Sequence, residues 1–156
     1  MIYASLKLAH VLAIIVWIGG MVFAHFFLRP ATLTLEDSQR VRLMHDVLGR
    51  FFKAALVAAV IVLASGLWMI GRVAKESVQA GLGFNMPLSW TIMAALGIVM
   101  IAIFFHIRFA LYKRLSQAVA VSNWTAGGAA LASIRTWVAI NLSIGVLIIA
   151  VTLLLS

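Results

Sequence analysis

The sequence contains no cysteine, which excludes disulfides, thiolate zinc sites, iron–sulfur clusters and cysteine nucleophiles and leaves the redox compartment unmarked. Acidic residues are nearly as scarce, four against twelve lysines and arginines, for a formal net charge of +8. None of the four, Glu36, Asp37, Asp46 and Glu76, falls inside a long apolar run. With no carboxylate there to orient a histidine base, hydrolase chemistry is disfavoured. No nucleotide-binding glycine loop, internal repeat or low-complexity segment is present. Charged residues of both signs make up only 10% of the chain, too few to cover the surface of a soluble domain.

What remains is apolar: 65% of 156 residues are hydrophobic. They fall into blocks about 20 or more residues long, the length that crosses a hydrocarbon core. Four blocks fit, at about 3–28, 52–70, 88–112 and 131–155. Backbone groups in lipid must be paired within a helix or a closed barrel, and the alternating pattern of barrel strands is missing, so all four read as helices. The expected fold is all-α, an integral membrane four-helix bundle forming one transmembrane domain over residues 1–156. The first block is read as a retained helix. It is longer than a signal peptide core, no basic region precedes it, and it ends on bulky Phe26-Phe27-Leu28-Arg29-Pro30.

The positive charge does not form a soluble basic face. Arg29, Arg40, Arg42, Arg50 and Lys53 flank the first connection, and Arg108, Lys113, Arg114 and Arg135 flank the third. The second has Arg72 and Lys75 alone. The positive-inside rule then puts the first and third connections in the cytoplasm and both termini on the outer, periplasmic side of a bacterial inner membrane. Topology and anionic lipid account for the charge, so membrane lipid is an expected partner and nucleic acid is not. Thr34 followed by Asp37, then Met44, Val47, Leu48 and Phe51 at helical spacing, predicts a short amphipathic segment at about 36–50 lying on the inner membrane surface. Gly81, Gly83 and Asn85 mark an outer loop, and residues 122–128 form a turn-rich stretch before the last span.

Chemistry must rest on polar residues within the spans. An ionisable residue at membrane depth is costly and is a functional hypothesis by default, and His10, His25 and His106 qualify. His10 and His25 are 15 residues apart, which places them about 60° apart on one helix face and about 22 Å apart along the axis. Counting from the span centres puts His106 within about 5 Å of the depth of His25. Two imidazoles at one depth on different helices suit a six-coordinate haem b, and Arg29, Arg108 and Arg135 are near enough to that end to meet its propionates. His45 is a spare candidate there, read first as a solvated interfacial residue beside Asp46. On the outer side Met69 and Met93 share the depth of His10 to within roughly 2 Å, a His/Met set open to haem or to Cu(I). Trp17, near mid-membrane, packs helices or a flat ring, and Asn141 must bond across helices.

Leu6-Lys7-Leu8-Ala9-His10, then Trp17-Ile18-Gly19-Gly20 and Arg29-Pro30-Ala31, resemble the first helix of CopD-like membrane proteins, the copper resistance protein D family. Ser65-Gly66-Leu67, and Arg135 with Asn141, extend the resemblance over most of the chain. The His-then-Trp-Gly pattern is also similar to HemJ-type protoporphyrinogen oxidases, whose first-helix histidine is implicated in haem binding. This chain departs from them at Trp90-Thr91-Ile92-Met93, without the lysine expected nearby, and after Asn141, where no glutamate follows. The resemblance implies copper handling on one side and haem chemistry on the other. The reading placed first is a haem b redox protein with His10, His25 and His106 as ligand candidates and quinone or another membrane redox protein as partner, with a homo-oligomer open. The alternative is a copper transport or resistance protein using His10, His25, His106, Met69 and Met93.

Overall fold

The computed structural model describes residues 2–83 and 85–154. Its four long helices are α1 (Ile2–Thr34), α2 (Asp37–Gln79), α3 (Leu88–Ala120) and α4 (Trp124–Leu154), each long and apolar enough to cross a membrane. There is no strand among the described residues. The chain is an all-α integral membrane protein whose helices face lipid directly, with large apolar side chains such as Leu8, Ile15, Phe27, Val60, Leu67 and Ile98 exposed. Position 155, the expected end of the fourth span, lies outside the described residues.

The helices outrun the apolar blocks. At about 1.5 Å per residue the 43 residues of α2 span roughly 65 Å, about twice a hydrocarbon core. The excess over residues 37–51 corrects one expectation. The amphipathic stretch is the first part of α2 and does not form a separate surface helix. Its apolar stripe, Val41, Met44 and Leu48, is buried in the bundle core. Gly127 on α4 allows this contact, since a Cβ there would lie 2.7 Å from Val41 Cγ1. Thr34 does not cap the helix either: it closes the preceding 3-10 turn, and Glu36 occupies the N-cap with no side-chain bond. The expected turn-rich stretch is likewise shorter than 122–128, because Trp124 already begins α4. The reversal is confined to Val121–Asn123, with Ser122 at φ 53° and Asn123 Oδ1 accepting from the Ala126 amide at 3.0 Å.

Neighbour relations fix the bundle. α1 lies along α2 and α3 along α4, while α4 also touches α2 and α1. α1 and α3 therefore stand at opposite corners. They reach each other across the axis through Trp17, whose ring meets Phe104 edge to face at 5.5 Å. Trp17 packs helices, as its depth implied. Phe104 continues the contact to Phe52, and Phe52 to Tyr112, at 6.1 and 5.5 Å.

Two helices change their winding part-way. α1 passes through a π-helical turn at Phe23–Leu28 and α3 through another at His106–Leu111, each of six residues. A π turn takes more residues per revolution than an α turn, so it rotates every later side chain out of register, and such turns are frequent at functional sites. His25 lies inside the first and His106 opens the second.

Candidate functional site

His10 is held by the second helix. Its Nδ1 is 2.8 Å from Ser65 Oγ. The single hydroxyl proton of Ser65 goes to the Ile61 carbonyl, the acceptor one turn back. The ring nitrogen is therefore the donor in the His10–Ser65 bond. With Nδ1 tied to α2, Nε2 is the ring nitrogen that a metal would take, the arrangement in which an imidazole ligates through one nitrogen while the other is held by the protein. Ser65 is 3% exposed. Gly66 lies beside the ring, where an added Cβ would meet His10 Cε1 at 3.5 Å, an ordinary van der Waals contact.

Met69 lies one turn beyond Ser65 on the same face of α2. Met93 can be levelled from a three-helix meeting point, since Ile18 of α1 and Met100 of α3 both close on Gly145 of α4. Eight residues back along α1 is His10, and seven back along α3 is Met93. Both methionines are half-buried.

The inner histidines are not brought to one gap. His106 is exposed on the outside of the bundle, its ring 5.1 Å from Trp137 of α4. His25 is half-buried and lines a cavity of about 230 Å³ between α1, α2 and α4, together with Arg29, Arg40 and Arg135. The space between α1 and α3 holds Trp17 and Phe104, 4% and 2% exposed. A porphyrin ligated by both histidines needs a flat slot between those helices, and these residues do not fit one. The cavity beside His25 is also below the ~300–1,000 Å³ usual for pockets that enclose a sizeable ligand. The expected arginine trio divides: Arg29 and Arg135 meet at the cavity, whereas Arg108 lies elsewhere, beside Arg50, Lys53 and Asp46. Arg108 Nε is buried without a hydrogen-bond partner among the described residues, and the guanidinium lies over Tyr112 at 5.2 Å.

Sequence reasoning missed three features of this end. Arg40 counted only toward topology, although its four-residue spacing to buried Met44 places it on an inward face. Ser116 accepts from His45 Nε2 at 3.0 Å, because the serine's own proton goes to the Tyr112 carbonyl. The His45 ring stacks flat on Tyr112 at 5.2 Å, and the Tyr112 hydroxyl donates to the His45 carbonyl at 3.1 Å. His45 is thus a tertiary anchor as well as the neighbour of Asp46. Asn141 does bond across helices, donating from Nδ2 to Met21 Sδ at 3.9 Å.

The model of the family described as Copper resistance protein D matches residues 45–155. The chain belongs to the CopD family. The matched segment holds α3, α4 and most of α2, and so includes Ser65-Gly66, Met69, Met93, His106, Arg135 and Asn141. His10 and His25 precede it. No curated protein and no solved structure matches the chain. Among the described residues no three His, Cys, Asp or Glu side chains form a metal-binding group.

Proposed function

We propose that the chain handles copper in a bacterial cytoplasmic membrane, binding Cu(I) as its cargo through His10 Nε2 with Met69 and Met93 as soft neighbours. One observation carries this reading: Ser65 of α2 holds His10 by Nδ1 inside an apolar bundle, so that Nε2 is the nitrogen offered to a metal. Thioether and imidazole donors without carboxylate suit Cu(I) better than a hard cation. Membership of a family described by copper resistance supports the same reading.

The test is a titration of the detergent-purified chain with Cu(I) against a chromophoric chelator, preceded by an absorption spectrum of the protein as isolated. The expected result is stoichiometric Cu(I) binding that His10→Ala abolishes. Ser65→Ala should weaken it about 10- to 100-fold, the range seen when a histidine loses the group that orients it. Unchanged affinity in His10→Ala would overturn the proposal. A porphyrin band in the isolated protein, lost in a histidine variant, would restore haem b and electron transfer to quinone or a membrane redox protein as the function.

A further inference from the structure

Three arginines from three helices line the cavity of about 230 Å³ at the end of the bundle that carries the first and third connections. Arg29 comes from α1 just after its π turn, Arg40 from the first turns of α2, and Arg135 from α4. No carboxylate lines this space. The only ion pair made by the three among the described residues is that of Arg40 with Asp37, whose side chain is 74% exposed. Of the other three acids, Asp46 faces His45, Glu76 pairs with Arg72 on a later stretch of α2, and Glu36 is exposed at the α2 N-cap outside the lining. Like charges around a small space repel strongly when water is displaced from between them, and an anion seated there reverses the sign of that energy. Guanidinium forks match the paired oxygens of an oxyanion, so arginines gathered from separate elements are suited to phosphate.

The rest of the lining indicates what accompanies the charge. Leu33, Leu48 and Phe51 form an apolar side, and Phe26, Phe27 and Leu33 on the adjoining surface are 60%, 64% and 56% exposed where the bundle meets lipid. The volume equals roughly eight waters at ~30 Å³ each, room for a phosphate and the start of its ester chain. We propose that this cavity binds the phosphate group of an anionic phospholipid headgroup, or free inorganic phosphate, through Arg29, Arg40 and Arg135. The site stands apart from the copper reading and does not rest on it.

The test uses the full chain in detergent by native mass spectrometry, with dioleoyl phosphatidylglycerol, dioleoyl phosphatidylcholine and inorganic phosphate as probes. One phosphatidylglycerol should stay bound at collision energies that strip phosphatidylcholine. Its retention should fall by at least about tenfold in Arg29→Gln/Arg135→Gln, as charge-assisted bonds to the oxyanion are lost. The variant Arg72→Gln/Lys75→Gln, altered near the second connection, should behave as wild type. If phosphatidylglycerol is not preferred but inorganic phosphate raises the melting temperature of the wild type and not of the double variant, the same site takes free phosphate. The single variants Arg29→Gln and Arg135→Gln keep the comparison if the double variant fails to fold. Lipid retention and phosphate response both unchanged in the folded variants would overturn the proposal.

Discussion

Single atoms decide several contacts. Gly49 lies against the Tyr112 hydroxyl so closely that any Cβ would collide with it. Gly49→Ala should therefore displace the hydroxyl from the His45 carbonyl and lower stability by about 1–3 kcal/mol, the cost of overpacking with a hydrogen bond lost. Removing the hydroxyl relieves the clash, because the next ring atom is 3.2 Å from the added Cβ. Gly49→Ala/Tyr112→Phe should consequently be less destabilised than the sum of its single variants, and thermal melts of the four proteins would measure that coupling. Strict additivity would remove Gly49 as the reason for this contact. The reverse holds at Gly66, where an alanine Cβ meets His10 at ordinary van der Waals distance. Gly66→Ala should leave Cu(I) binding nearly unchanged while Gly66→Leu, which needs the volume of the ring, should abolish it.

The helices carry two kinds of glycine that the sequence does not distinguish. An added Cβ on Gly71 of α2 meets nothing within 4 Å, and on Gly127 of α4 it meets Val41. Gly71→Ala should stabilise the chain by up to about 1 kcal/mol, the helix-propensity difference. Gly127→Ala should cost about 1–3 kcal/mol by forcing α4 away from the first turns of α2. Melting temperatures moving in the same direction would refute the distinction. Both residues sit in helical stretches, and only their partners 86 positions or more away, or their lack of any, set the sign. The same limit explains what could be read beforehand. The four spans were legible because lipid thickness imposes a block length that composition alone reveals. The polar character of His10, His25 and His106 was legible because apolar surroundings make each stand out. Their directions were not. The π turns at Phe23–Leu28 and His106–Leu111 shift helix phase with no marker in residue type. His106, which only opens its π turn, shared an expected depth with His25 yet lies on the outside of the bundle, because depth does not fix which face of a helix turns inward. Ser65, 55 positions from His10, gave no local sign that it would hold the ring.

For the molecule as a whole, the orientation in the membrane rests on the charge asymmetry between connections. The cavity arginines Arg29 and Arg40 flank the first connection, and Arg42 of the same region lies over the Trp124 ring at 4.9 Å, joining that connection to the start of α4. The opposite end has Arg72 over Trp68 at 5.5 Å, and that arginine is already paired with Glu76. Translocating the richer end across the membrane would oppose the bias that retains lysine and arginine in the cytoplasm. The absence of cysteine turns this into a clean labelling experiment. Leu82 in the second connection and Val121 in the third are 67% and 74% exposed, so Leu82→Cys and Val121→Cys each place one reactive thiol on an accessible turn. In intact cells a membrane-impermeant maleimide should label Leu82→Cys and spare Val121→Cys until the membrane is permeabilised. This outcome puts the arginine-lined cavity on the cytoplasmic leaflet and His10, with the proposed copper site, in the half of the bundle nearer the periplasm. The reverse labelling would exchange both assignments, setting His10 toward the cytoplasm while leaving its bond to Ser65 intact.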